Sequence, residues 1–281
     1  ECDWSSDVCS SDLVNSMSKQ PCLLEISTCG IATLTLNRPK VNNALDEATV
    51  NLLIDYLYEL EGNPSVRIVV LKSIGKVFCA GADLHWISSN EMRATTSTDT
   101  MSQKLAQLMQ ILHNHIKPTI ILITGATYGG AIGLVACCDI AIATQNAIFC
   151  FSEVRLGLVP AIISPYIVEA IGKRIALRYF LTAENFDAQE AWRIGLVHHV
   201  ISENKLGDDL NKITDALLAA SPNALAKTKK LVTEVSTRPL DDTLIRRTSQ
   251  LITEIRNTSE AKEGISAFLQ KRKASWVKKS S

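Results

Sequence analysis

The sequence predicts an α/β core followed by a helical C-terminal region. Over the first 200 residues, short β-branched runs alternate with amphipathic segments, and this order is typical of α/β proteins. From about residue 200 onward, every segment has helical spacing. The chain has 281 residues, of which 46% are hydrophobic and 21% are charged, an ordinary balance for a folded domain. We therefore expect a core over residues 17–200 and a helical domain over 201–281.

The individual elements follow from local periodicity. Two alternating runs, 23–27 and 31–36, predict a β-hairpin. Asp46 is a typical cap for a helix that extends to about Glu61, because apolar residues recur on one face. Further strands are predicted at 67–71, 119–124, 139–144 and 147–151. Further helices are predicted at 101–115, from the second glycine-rich turn through 136, and at 172–181, 188–194, 205–220, 222–235, 240–256 and 259–273.

Two glycine-rich turns and one carboxylate point to chemistry. The turns are Cys-Ala-Gly-Ala-Asp at 79–83 and Tyr-Gly-Gly-Ala-Ile-Gly at 128–133, and each follows an apolar run. A turn that opens a helix leaves unpaired N–H groups with partial positive charge. Two such groups can converge on one oxygen as an oxyanion hole. Glu153 follows closely and is able to move a proton beside it, so the pattern predicts a carbonyl-activating site.

Composition excludes several other classes of function. The chain carries 29 basic and 29 acidic residues, so it has no net positive charge that would attract nucleic acid or an anionic membrane. No apolar run reaches about 18 residues, so we expect no membrane span. No cluster of His, Asp and Glu has metal-ligand spacing, and we expect no metal. The eight cysteines lack the spacing of a disulfide framework, which predicts a reducing, cytoplasmic location. Residues 1–16 lack periodicity, and we expect a non-native or disordered leader.

The motifs together resemble one known family. Matching segments occur in chain order at 37–39, 43–45, 78–84, 125–133, 138–140, 149–160 and 263–273. In these segments the chain resembles the enoyl-CoA hydratase/isomerase family, also called the crotonase family. The resemblance implies a spiral of ββα units with a helical C-terminal domain, and assembly as a homotrimer or a hexamer. It also implies an acyl-CoA substrate, whose coenzyme A is part of the substrate, and no separate cofactor.

The resemblance also assigns roles to residues. It places the two oxyanion-hole donors at the N–H groups of Ala82 and Gly130, and the acid/base at Glu153. Two residues of the C-terminal helix, Phe268 and Lys271, match positions that reach the nucleotide part of coenzyme A, although simple packing explains Phe268 equally well. The remaining substrate or coenzyme A contacts that it implies are Ala44, Ala80, Asp83, Leu84 and Gly133.

One position departs from the pattern of the family hydratases. Those enzymes carry a second Glu where this chain has Gly133, and one carboxylate alone suits a double-bond isomerase. However, segments 128–136 and 152–166 resemble bacterial methylglutaconyl-CoA hydratases. The leading hypothesis is therefore hydration of a branched, 3-methylglutaconyl-type acyl-CoA. The alternatives are a Δ3-Δ2-enoyl-CoA isomerase that uses Glu153 alone, and a non-catalytic member that binds coenzyme A or RNA.

Single residues also have simpler explanations. The simpler explanation of Glu153 is a surface carboxylate that caps a helix or forms an ion pair with Arg155, but its place in the motif favours catalysis. Asp139 lies between two apolar runs, and we expect it to hydrogen-bond to backbone. His85 follows the first turn and is more often incidental than functional at such a position.

Overall fold

The strands form two sheets in the computed structural model, which describes residues 20–84, 86, 88 and 100–277. The strands are β1 (Cys22–Ile26), β2 (Ile31–Leu36), β3 (Ile68–Ser73), β4 (Val77–Cys79), β5 (Thr119–Ile123), β6 (Ala126–Tyr128), β7 (Ile140–Thr144), β8 (Ile148–Cys150), β9 (Phe186–Asp187) and β10 (His199–Ile201). One sheet has the order β1-β2-β3-β5-β7-β10, and the other has the order β4-β6-β8-β9.

The topology repeats one unit. β1 and β2 are antiparallel neighbours, whereas β2, β3, β5, β7 and β10 run parallel. After β3, β5 and β7 the chain crosses to the second sheet, where β4, β6 and β8 run parallel to one another. After the β1–β2 hairpin, the pairs β3/β4, β5/β6 and β7/β8 therefore each contribute one strand to each sheet. This is the ββα spiral that the resemblance implies, and the predicted α/β fold class is confirmed.

Helices occupy most of the remaining chain. Within the described residues they are α1 (Glu47–Gly62), α2 (Thr100–Asn114), α3 (Gly130–Cys137), α4 (Ser164–Ile171), α5 (Lys173–Thr182), α6 (Ala188–Arg193), α7 (Leu206–Ala219), α8 (Pro222–Ser236), α9 (Asp242–Arg256) and α10 (Ser259–Leu269). As expected, Asp46 caps α1, because its Oδ1 accepts a hydrogen bond of 2.9 Å from the Thr49 N–H. None of the helices in this part of the chain is long and apolar enough to cross a membrane.

The six-stranded sheet is covered on both faces. Alternate residues of a strand point to opposite faces, and β3 shows this clearly. Val69 and Leu71 belong to the main core, together with residues of α1, α2 and α3. Ile68 and Val70 belong to a second cluster that α7 covers with Leu210. The helix α7 thus covers a sheet face, although the predicted boundary at residue 200 assigns it to the helical domain; that boundary stays a prediction.

Two ties join the C-terminal region to the core. Arg67, directly before β3, donates to the carbonyl oxygens of Ala220 at 2.8 Å and Trp276 at 3.1 Å. The Trp276 Nε1 in turn donates to the Ala219 oxygen at 3.0 Å. Arg67 and Trp276 therefore satisfy carbonyl groups that the end of α7 leaves unpaired.

The second tie is a partly buried ion pair between α8 and the segment before β7. Lys229 of α8 lies 2.7 Å from Asp139, whose Oδ2 also accepts a bond of 2.7 Å from the Thr119 N–H. The expectation that Asp139 hydrogen-bonds to backbone is confirmed.

Most long elements lie where the periodicity predicts them, and the differences are short. β4, β6, β9 and β10 and the helix α4 were not predicted. The last helix ends at Leu269 instead of 273. Five described cysteines are free and buried, but Cys29 is disulfide-bonded; the cytoplasmic location stays a prediction. The proposed leader lies outside the described residues, as do residues 90–99.

We expect Arg67→Met to lower the free energy of unfolding by about 2 kcal/mol, because charged donors to buried carbonyl oxygens contribute about 1.5–3 kcal/mol each. Chemical denaturation would measure this loss. The control is Arg174→Met, an exposed arginine on α5. Equal stability losses in the two variants would contradict the capping role.

Candidate active site

The first glycine turn is attached to the segment before α1. The Gly81 oxygen accepts a bond of 2.8 Å from the Leu45 N–H, and the Leu45 oxygen accepts one of 2.9 Å from the Asp83 N–H. These bonds use the residues on either side of Ala82, which forms an isolated parallel bridge with Leu45. In such a bridge the N–H of the central residue points away from its partner. The Ala82 N–H therefore faces away from Leu45.

The two glycine turns touch each other. Gly81 has a φ of +89°, and a Cβ on it would lie 2.8 Å from the Tyr128 oxygen and 3.6 Å from the Gly130 nitrogen. The contact is too close for a side chain, and the conformation is one that L-residues rarely adopt. Only glycine at position 81 allows the turn before Ala82 to lie this close to the start of α3.

The two predicted donors lie next to this contact. Gly130 is the first residue of α3, so its N–H has no partner within the helix. In the described part of the chain, neither the Ala82 N–H nor the Gly130 N–H donates to a backbone carbonyl oxygen. Both groups are thus available, and the start of α3 adds partial positive charge. The arrangement suits an oxyanion, although the role of both residues as donors stays a prediction.

Glu153 lies beside the second turn. It begins a short 3-10 helix, Glu153–Leu156, three residues after the end of β8. A Cβ on Gly129 would lie 3.1 Å from Glu153 Oε1, so the carboxylate lies over this turn. The Gly129 N–H donates to the Cys150 oxygen at 3.0 Å, which fixes the turn against β8.

The Glu153 carboxyl is partly buried, and no cation of the described residues forms an ion pair with it. Its Oε2 is buried, and no described group hydrogen-bonds to it. Burial raises the pKa of the Glu153 carboxyl above its usual range, and a bond from its own backbone opposes this only in part. Arg155 does not pair with it but donates to the Ala183 oxygen at 2.6 Å. The ion-pair explanation of Glu153 is therefore wrong.

Arg38 organises the predicted coenzyme A segment, and sequence reasoning missed it. Its guanidinium donates to the Ala44 oxygen and lies 2.9 Å from Asp46 and 3.6 Å from Asp83. Asp83 thus faces a cation of its own chain rather than open solvent. An arginine within a matched motif is a signal that was available, since such a side chain often joins loops through carbonyl groups and carboxylates.

Ala44, Ala80 and Leu84 surround the first turn. Ala44 is half-buried, and Ala80 and Leu84 are exposed. The Ala80 N–H donates to the Asn42 oxygen at 2.9 Å, which joins the turn to the segment before α1. These residues form one partly exposed surface beside the site, and their contact with coenzyme A stays a prediction.

Gly133 does not lie on the protein surface. It is buried inside α3, where a Cβ would lie 3.0 Å from Ile163 Cβ and 3.1 Å from Met109 Sδ. Sequence reasoning missed both neighbours, because an apolar residue distant in the chain carries no chemical signature. The interpretation of Gly133 as a substrate contact stays a prediction.

The two C-terminal residues are exposed. Phe268 is 82% exposed near the end of α10. Lys271 follows with a φ of +53° and donates its N–H to the Phe268 oxygen at 3.1 Å. The exposure of Phe268 does not support simple packing within one chain, and the role of both residues in binding nucleotide stays a prediction.

Two other expectations concern groups near the site. His85 lies outside the described residues. Within the described part of the chain, no three His, Cys, Asp or Glu side chains cluster as a metal site requires. The expectation that the protein needs no metal and no separate cofactor stays a prediction.

Comparison with known proteins places the chain in a family. The family model described as enoyl-CoA hydratase/isomerase matches residues 27–279. A crystal structure of an enoyl-CoA hydratase from Shewanella pealeana is similar with a TM-score of 0.85 and 38% identity, and the match covers 95% of this chain and all of that one.

Two relatives of similar length are also named as acyl-CoA hydratases. The 2,3-dehydroadipyl-CoA hydratase of Escherichia coli is 32% identical over 86% of this chain and 93% of its own length. The crotonyl-CoA hydratase of Syntrophomonas wolfei is 30% identical over 89% of this chain and 95% of its own length.

The fold and these comparisons define an enzyme class that acts on acyl-CoA substrates. The chain belongs to the enoyl-CoA hydratase/isomerase family, and its relatives support a lyase that hydrates an enoyl-CoA.

The raised pKa of Glu153 predicts a particular pH dependence. A carboxylate must be ionised to accept a proton, so kcat/KM should fall as the pH drops through the raised pKa. We expect the acidic limb to lie above the value of about 4.3 for an exposed glutamate. A profile of kcat/KM against pH measures this, and a limb at or below 4.3 would contradict the burial argument.

Proposed function

We propose that the protein hydrates a branched α,β-unsaturated acyl-CoA of the 3-methylglutaconyl type, with Glu153 as acid/base. The observation that carries the proposal is the position of the Glu153 carboxylate over Gly129, next to the N–H groups of Ala82 and Gly130, which donate to no carbonyl oxygen of the described residues. A base and an oxyanion hole side by side suit the formation of an enolate from a thioester.

The proposed mechanism uses one carboxylate twice. Ionised Glu153 accepts a proton from water while the water oxygen bonds to C3 of the substrate. The C2–C3 π electrons move toward the thioester, whose oxygen becomes an enolate held by Ala82 and Gly130. Protonated Glu153 then returns the proton to C2, and the carbonyl forms again. The water adds as H and OH across the double bond, and Glu153 ends ionised.

Two observations support a branched acyl group that ends in a carboxylate. Segments 128–136 and 152–166 resemble bacterial methylglutaconyl-CoA hydratases. The similar Escherichia coli enzyme is named for 2,3-dehydroadipyl-CoA, an acyl group that ends in a carboxylate. A substrate carboxylate is also able to help orient water where this chain has Gly133 instead of a second Glu.

One observation favours a second function. Gly133 supplies no carboxylate, so Glu153 is the one acid/base that the motif offers at this site. A Δ3-Δ2-enoyl-CoA isomerase needs only one base, which takes a proton from C2 and returns it to C4. The isomerase therefore remains the alternative candidate.

A substrate panel tests these proposals. We expect 3-methylglutaconyl-CoA to be hydrated faster than crotonyl-CoA, and Glu153→Gln to lower turnover by about 10²–10⁴-fold, because the amide transfers no proton. Initial rates of hydration and of 3-enoyl-CoA isomerisation measure both. Glu169→Gln, an exposed carboxylate on α4, is the control and should keep full activity.

Each outcome of the panel separates the hypotheses. Turnover of the 3-enoyl-CoA alone would mean an isomerase. Equal hydration of crotonyl-CoA would contradict a role for the distal carboxylate of the substrate. Unchanged cellular function with Glu153→Gln would instead favour a non-catalytic member that binds coenzyme A or RNA, although the balanced charge of the chain does not suit RNA.

We also propose that the chain assembles with copies of itself as a homotrimer or a hexamer. α8 buries none of its residues, α9 buries only Leu244, and α10 buries only Ala267. Apolar side chains on these helices are instead exposed, including Val232 at 60% and Ile252 at 57%. Exposed apolar surface of this kind is usually covered by a partner.

We expect the molar mass in solution to be three or six times the chain mass of 30.7 kDa. Ile252→Glu should shift the mass toward that of one chain, since it places a charge on the proposed interface. Tyr58→Glu, on an exposed face of α1, is the control. Light scattering after gel filtration measures the mass, and a wild-type protein with the mass of one chain would contradict the proposal.

A further inference from the structure

Two glycines at the start of α3 are each covered by a different side chain. Gly129 is the residue before α3 and has a φ of +50°, and Gly133 follows four residues later inside the helix. The Glu153 carboxylate lies over Gly129. The Ile163 side chain lies over Gly133, one turn further along. Glu153 thus occupies the space beside Gly129, and Ile163 occupies the space beside Gly133.

Ile163 leaves no space for a side chain at position 133. A Cβ on Gly133 would overlap Ile163 Cγ2 and lie 3.0 Å from Ile163 Cβ. Met109 Sδ, at 3.1 Å, is flexible and able to move. Ile163 is 2% exposed and β-branched, and its carbonyl oxygen accepts the Ile167 N–H at 3.1 Å at the start of α4. A stiff, buried side chain next to a helix end has little freedom to shift.

We propose that Ile163 is a specificity-determining residue, because it occupies the space that a carboxylate at position 133 would need. This inference rests on the proposed function and explains why the site has one carboxylate. Glu153 Oε2 has no hydrogen-bond partner among the described residues. Glu153 therefore performs both proton transfers, and a glutamate at position 133 requires loss of the Ile163 side chain.

The steric part is tested without any substrate. We expect Gly133→Ala to lower the melting temperature by roughly 5 °C in the native background, since overpacking a core is destabilising. The same change should cost little in an Ile163→Ala background, where the space is open. Ile171→Ala, a buried residue of α4, is the control background and should give no such rescue. Equal losses in all backgrounds would overturn the proposal.

The catalytic part compares two double variants. Gly133→Glu/Ile163→Ala should hydrate crotonyl-CoA at least about ten times faster than Gly133→Gln/Ile163→Ala, because only the first has a second acid/base group. Equal rates in the two folded double variants would overturn the role of Ile163 in specificity. If the wild-type protein turns over none of the acyl-CoAs while the stability coupling holds, the proposed function fails and the steric role of Ile163 stands.

Discussion

The contact between the two glycine turns is the constraint on which the site depends. Gly81 lies so close to Tyr128 and Gly130 that no side chain fits between them. The surfaces that meet are therefore backbone, and the groups left over at the contact are N–H groups. Bonds of Leu45 to the two neighbours of Ala82 hold the first turn in place. An oxyanion site made in this way needs no polar side chain of its own.

Strand register explains why residues far apart in sequence meet at this contact. In the second sheet, Cys79 of β4 pairs with Thr127 of β6, and Tyr128 pairs with Cys150 of β8. The residues that follow these three parallel strands must emerge side by side at one sheet edge. Those residues are the first turn, the second turn and Glu153. The short second sheet thus brings the parts of the site together, while the longer first sheet forms most of the core.

The sequence predicts the parts of this arrangement better than their contacts. Long apolar runs and capped helices were predicted because their periodicity extends over many residues. Strands of two or three residues, such as β6, are too short to show a period of two, so β4, β6 and β9 of the second sheet were missed. Glu153 and the glycines were identified because their residue types are distinctive. Ile163 was not, since its importance comes only from the residue that it contacts.

The surroundings of Glu153 keep it available for proton transfer. Arg155, the nearest cation in the sequence, bonds to the Ala183 oxygen, so it does not lower the pKa of the carboxyl. Burial raises that pKa, which makes the ionised form a stronger base. A second carboxylate nearby would raise the pKa further through like-charge repulsion. With Ile163 in the space beside Gly133, burial and not a second charge at that position sets the basicity of Glu153.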